Sequence, residues 1–216
     1  VSAAHVRGGS PAGARRIALA WTGASGMAYG VRLLECLLQA GCRVELLVSQ
    51  AARIVAKQEL DLALPGSAAE LAEYLHARFA GHAGEVVVYG REEWFAPVAS
   101  GSNAPSAMVI CPCTMGTLAA VAQGLADNLI ERAADVMLKE RRPLILVPRE
   151  TPFSLIHLRN MTALAQAGAT ILPANPGFYH RPGSVEAVVD FVVARVLDQL
   201  GVEHALMRRW GEDAGE

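Results

Sequence analysis

Apolar positions along the chain fall into two alternating rhythms. Short, nearly continuous apolar runs at 16–21, 43–49, 85–89, 107–111, 143–148 and 169–172 read as strands. Between them, apolar residues recur every three or four positions, which predicts helices over 27–40, 50–59, 67–80, 116–123, 128–140, 154–168 and 184–200. In the first of these, Val31, Leu34 and Leu38 share one face. Ser67, followed three residues on by Glu70, is a capping-box pattern, and Gly168 stands where a helix prefers to end. The run at 107–111 is almost wholly apolar, as a central strand buried on both faces must be.

This alternation predicts a single α/β domain: a Rossmann-like, doubly wound, mainly parallel sheet with helices on both faces. The domain is expected over 15–210, between an unstructured tail or cloning remnant at 1–14 and a short tail at 211–216. No internal repeat or linker divides it. The polar stretches 94–105, 149–152 and 173–183 are mostly expected to follow strands, where ligands bind in open α/β sheets.

Composition narrows the function classes. The chain has 216 residues, 52% of them apolar and 19% charged, enough for one sizeable core. A net charge of −2 offers no footprint for nucleic acid. No apolar run is long enough to span a bilayer, and the first residues lack the apolar centre of a signal peptide. Cys36, Cys42, Cys111 and Cys113 form no Cys-x-x-Cys pair and read as reduced thiols of a cytoplasmic protein, with no metal expected.

The candidate chemistry starts at Thr22-Gly23-Ala24-Ser25-Gly26, between the first strand and the first helix. Either this is an ordinary tight turn, or its glycines and the amides opening the helix receive an anion, with the Ser25 hydroxyl as a further donor. It has neither the Lys-Ser/Thr ending of a P-loop nor the G-x-G-x-x-G spacing, and the second strand ends on Ser49 rather than on an acidic residue for an adenosine ribose. A mononucleotide such as a flavin phosphate suits these residues better, and no Tyr-x-x-x-Lys of a short-chain dehydrogenase is present.

Ser100-Gly101-Ser102 before the central strand and Thr114-Met115-Gly116-Thr117 after it are rich in small donors, and each is either a capped loop or part of a polar nest. Arg132 and Lys139, seven apart on one helix, share a face that is either solvated or aimed at a phosphate. Arg149 and Glu150 follow a strand directly, as chemistry or as a surface ion pair. His180 is read as packing or capping.

Together, Thr22–Gly26, the Ser-Gly-Ser loop, Cys111-Pro112-Cys113-Thr114, the stretch ERAADVMLKERRPLILVPRETP and residues 176–182 resemble the UbiX-type flavin prenyltransferases, over about 16–210. Thr114 stands where many relatives have serine. The resemblance implies transfer of a dimethylallyl group from dimethylallyl phosphate to N5 and C6 of reduced FMN. The prenylated FMN formed is the cofactor of a UbiD-type decarboxylase, in ubiquinone synthesis or aromatic acid metabolism. It also implies a metal-independent homododecamer.

By position, Gly23, Ala24, Ser25, Ser49, Thr114, Met115, Gly116, Thr117 and Arg149 would contact FMN. Tyr179 and Arg195 would bind dimethylallyl phosphate, with Ser100, Gly101, Ser102, Arg132 and Lys139 around its phosphate. Ser25, Glu59, Lys139 and Glu150 are the implied catalytic groups, and Trp94 and Trp210 match aromatic positions near the prenyl group. The residues suit that chemistry. Cleaving an allylic C–O bond leaves negative charge on phosphate, which fixed cations and a tyrosine hydroxyl stabilise, and Glu150 is the candidate to take the proton lost on ring closure. The rivals are an FMN-dependent cysteine decarboxylase of the phosphopantothenoylcysteine type, whose Pro-x-Met-Asn-x-x-Met-Trp signature is absent, and a non-catalytic flavin carrier.

Overall fold

The structure, a computed structural model, describes residues 14–207. The expected tails, apart from Ala14, and the last residues of the expected domain, Trp210 among them, lie outside the described residues.

Among the described residues, six strands form one sheet: β1 (Arg16–Trp21), β2 (Arg43–Val48), β3 (Glu85–Tyr89), β4 (Ala107–Cys113), β5 (Leu144–Pro148) and β6 (Thr170–Ile171). They lie in the order β3-β2-β1-β4-β5-β6, and every pairing is parallel. Seven α-helices of the described residues connect or cover them: α1 (Met27–Gln39), α2 (Gln50–Leu60), α3 (Ala68–Arg78), α4 (Met115–Ala122), α5 (Leu129–Lys139), α6 (Leu155–Gln166) and α7 (Val185–Leu200).

Alternation along each strand splits the core in two. From β1, Ile17, Leu19 and Trp21 enter a cluster with α1, α2, α3 and α7, while Ala18 and Ala20 enter a second cluster with α4, α5 and α6. All seven residues of β4 are buried, which fits its central place. The strand runs two residues past its expected end. Its ladder with β5 shifts register between Ile110 and Cys113, and that irregularity accommodates Pro112, which cannot donate to a ladder.

Helix starts follow local chemistry. Ser67 and Glu70 form the expected capping box on α3, Ser154 and His157 form another on α6, and Asn128 accepts from the amides of Ile130 and Glu131 at α5. From β1 the connections run outward through β2 to β3, and from β4 they run the other way through β5 to β6. The neighbours β1 and β4 therefore mark the switch point, and a crevice opens at their carboxyl ends.

Candidate functional site

At the carboxyl end of β1 the chain turns over Thr22 and enters α1. Thr22 is buried, and its hydroxyl joins two turns: it donates to the Pro112 carbonyl and accepts from the Thr114 amide, both at 2.8 Å. Gly23 passes so close to α2 that an added Cβ would lie 2.4 Å from the Ala51 Cβ, so the turn requires glycine there. Gly26, at φ 107°, caps α1 in a conformation that favours glycine.

The α1 N-terminus does hold an anion, but one supplied by the chain. The amides of Gly26 and Met27 both donate to the Glu59 carboxylate at 2.9 Å. This corrects the expectation that these amides face the ligand. Burial acts to raise the Glu59 carboxyl, but the Ser25 hydroxyl, the two amides and Arg149 outweigh it and hold the group below the usual carboxylate range. Arg149, just past β5, donates through Nε to the Ser25 carbonyl at 3.2 Å. Ser25, Glu59 and Arg149 thus meet at one point. Glu150 follows, its Oε1 accepting from the Thr151 amide at 3.1 Å.

The other residues expected at the flavin open two neighbouring helices. Ser49 caps α2, accepting from the Ala52 amide at 3.1 Å. Thr114 caps α4, accepting from the Thr117 amide at 3.0 Å and donating to the Thr117 hydroxyl at 2.9 Å, with Met115 and Gly116 between them. Between these helix starts and the end of β3 lies a cavity of about 230 Å³, lined by Ser49, Thr117, Tyr89 and Asn128 among others. A larger cavity of about 790 Å³ lies elsewhere, among α1, α7 and residues 60–62. There Arg32 is already paired with Glu35 and Asp190, each at 2.7 Å, so volume alone is a poor guide to the site. Cys111 and Cys113 are fully buried, which pushes both thiols well up and leaves them unreactive.

Ser100, Gly101, Ser102 and Lys139 come together away from that crevice, whereas Arg132 lies one turn from Asn128, which lines the cavity. The loop after β3 descends along α5 through two short 3-10 turns, Pro97–Ala99 and Gly101–Asn103. Arg132 donates to the Ala99 carbonyl at 3.0 Å and pairs with Asp135 at 2.7 Å. A Cβ on Gly101 would lie 2.8 Å from the Lys139 Nζ and closer still to Glu140, the residue Lys139 pairs with. The Ser100 and Ser102 hydroxyls are 2.9 Å apart.

Arg16, the first residue of β1, reaches the next residue of this loop, donating to the Asn103 Oδ1 at 2.7 Å and to its carbonyl at 3.1 Å. Arg16 is itself gripped by Glu45, a buried carboxylate 2.7 Å away. The Ser-Gly-Ser turn therefore lies at the amino end of the sheet, opposite Ser25 and Glu150. The expectation that this loop joins the others at one end holds only for its beginning.

Two further residues sit along α7. Tyr179 packs edge-on against Phe191 at 5.8 Å, and Arg195, one turn beyond Phe191, pairs with Asp198 at 2.6 Å. The stretch after β6 is held beside the end of β5 by the Ala174 amide, which donates to the Pro148 carbonyl at 3.0 Å. His180 stacks on Phe191 at 5.3 Å, a packing role. Trp94 is partly exposed on the loop after β3. The sequence reading missed Arg16 and Glu45, and it gave Thr22 and Asn103, which lie within its candidate turns, no role of their own. Glu45 was detectable as the lone charge inside the apolar run VELLV, and Thr22 as the first polar residue after another such run.

A parallel sheet in this order, with a hydroxyl-lined crevice at its switch point and no acidic residue closing β2, defines an α/β protein of the flavoprotein class, and the family model described as Flavoprotein matches residues 7–197. A curated relative, the flavin prenyltransferase UbiX of Pseudomonas aeruginosa, is 58% identical over 93% of this chain and 96% of its own. This chain belongs to the UbiX family of flavin prenyltransferases.

Among solved structures, AnUbiX in complex with FMN and dimethylallyl pyrophosphate is 40% identical, with a TM-score of 0.82 over 92% of this chain and 98% of that one. A dodecameric FMN-dependent UbiX-like decarboxylase from Escherichia coli O157:H7 is also 40% identical, with a TM-score of 0.78 over 90% and 98% of the two chains.

Proposed function

We propose that this chain is a flavin prenyltransferase that moves a dimethylallyl group from dimethylallyl phosphate to reduced FMN and delivers prenylated FMN to a UbiD-type decarboxylase. The observation that carries the reading is the meeting of Ser25, Glu59 and Arg149, with Glu150 adjacent, in the switch-point crevice of a chain of this family.

The residues present fit the flavin. Glu59 fills the start of α1, so a flavin phosphate belongs instead with the hydroxyls and helix starts at Ser49, Thr114 and Thr117, beside the 230 Å³ cavity. That leaves Gly23, Ala24, Ser25 and Arg149 for the flavin ring. When bound, reduced flavin supplies electron-rich N5 and C6. Glu59, held ionised, fixes Ser25 and Arg149, and Glu150 takes the proton lost on ring closure. Arg132, Lys139, Arg195 and the Tyr179 hydroxyl stabilise the charge that C–O cleavage leaves on phosphate.

In this reading the basic set of one copy completes the flavin crevice of another. Ser100, Ser102 and Lys139 are exposed at the opposite end of the sheet from Ser25, which supports assembly of the site between chains rather than within one. The dodecameric relative supports the same assembly here. We place the enzyme in the cytoplasm and its product in ubiquinone biosynthesis. The test is anaerobic incubation with reduced FMN and dimethylallyl phosphate, followed by mass spectrometry of the extracted flavin. A gain of one dimethylallyl group is expected. A flavin that binds but keeps its mass would reject the reading in favour of a carrier.

A further inference from the structure

Thr22 is assigned no contact with flavin or donor, yet its side chain sits where the two flavin-facing turns meet. The donor and acceptor roles at its hydroxyl are fixed by their partners. The Thr114 amide donates to Oγ1 at 2.8 Å, and the Pro112 carbonyl, also 2.8 Å away, can only accept, so the Thr22 proton goes to Pro112. The Pro112 carbonyl accepts from the Thr22 amide as well, at 3.2 Å. Thr114, anchored to Thr22 through its backbone amide, extends the network with its side chain. Thr114 Oγ1 accepts from the Thr117 amide and gives its proton to Thr117 Oγ1, 2.9 Å away. Thr117 therefore keeps its own hydroxyl proton as a donor, and Thr117 lines the cavity beside Ser49.

We propose that Thr22 is a positioning residue for the flavin: its buried hydroxyl clamps the turn after β1 to the turn after β4 and, through Thr114, sets the Thr117 hydroxyl as a donor to the oxygen-rich tail of FMN. With both roles of its buried hydroxyl used, Thr22 holds the Thr114 backbone in place, so the side-chain pair of Thr114 and Thr117 is positioned before the ligand arrives. The inference rests on the placement of FMN in this crevice. Valine matches the shape of threonine but takes the acceptor from the Thr114 amide and leaves the Pro112 carbonyl only its bond from the residue 22 amide, whereas serine keeps both hydroxyl bonds.

The test measures the FMN Kd of the full chain by flavin fluorescence, the KM for dimethylallyl phosphate at saturating FMN, and thermal unfolding without FMN, for Thr22→Val, Thr22→Ser, Thr117→Val and Ser49→Ala. Thr22→Val is expected to weaken FMN by about 5- to 100-fold with the donor KM unchanged, and Thr22→Ser to restore binding. A Thr22→Val protein that unfolds at lower temperature but binds FMN like the parent would overturn the proposal, as would failure of Thr22→Ser to rescue. Should Thr22→Val not fold, Thr117→Val carries the test, and unchanged FMN binding in it would be equally fatal. If Ser49→Ala weakens FMN while the threonine variants do not, only the role of Thr22 fails. If none of the variants changes FMN binding, the flavin lies elsewhere and both readings fall.

Discussion

The two ends of the sheet treat charge in opposite ways. At the carboxyl end, Glu59 receives two backbone amides at the start of α1 and lies beside the Ser25 hydroxyl and Arg149, and its carboxyl is held low. At the amino end, Glu45 is fully buried. Burial raises its carboxyl further than Arg16 and Arg43 lower it, and its Oε2 has no hydrogen-bond partner among the described residues. The same side chain is thus stabilised as an anion in one place and penalised in the other, because one faces oriented donors and the other a dry interior.

The cations differ too. Arg149 is tied to the Ser25 carbonyl and Arg132, one turn into α5, to the Ala99 carbonyl, whereas Lys139 at the far end of α5 is held by a partly exposed ion pair with Glu140. Such pairs are worth about 0–1 kcal/mol, so a donor phosphate bound there as proposed would displace them at little cost. One end is a prebuilt pocket, and the other is a set of charges ready to change partner.

The largest effect that sharpens this contrast is expected at Glu150. Glu150→Gln should slow turnover by about 100-fold or more while FMN affinity stays close to the parent's, read by stopped-flow kinetics against flavin titration. Equal loss of both would remove the proton-handling role.

Next comes the basic end. Lys139→Gln should raise the donor KM and lower kcat by about 10- to 100-fold without changing FMN binding. Mixing Glu150→Gln and Lys139→Gln chains under subunit exchange should restore activity. A mixture as inactive as its parts would break the division of the site between copies.

Smaller effects are expected on stability. The folded Glu59 carboxyl is depressed, so its contribution is present above the ordinary carboxylate value of about 4.3 and lost as pH falls through the folded value. Glu59→Gln should therefore flatten the acid limb of the unfolding midpoint. The smallest effect has the opposite sign. The folded Glu45 carboxyl is raised, so its ionisation costs stability as pH rises from the ordinary value through the folded one. Glu45→Gln should lessen that loss, and a steeper loss in thermal scans across pH would contradict the raised carboxyl.

The fold was largely legible because period decides element type. The all-apolar β4 announced a central strand, and the Ser67–Glu70 pair announced a helix start, since both signals are local. The end of β4 was less legible, because Pro112 reads as a breaker until a register shift beside β5 makes room for it.

The residue types and the order of the turns were enough to point to a flavin and to a second, phosphorylated substrate. They could not say which donors were already taken. That Glu59, about thirty positions along the chain, closes the α1 N-terminus depends on where α2 ends in space. That Ser100–Ser102 stands at the far end of the sheet from Ser25 depends on the loop running the length of α5 before β4 begins. Sequence spacing determines which face a residue occupies within an element. Only tertiary packing determines which ends of different elements meet, because those contacts join residues that no local period relates.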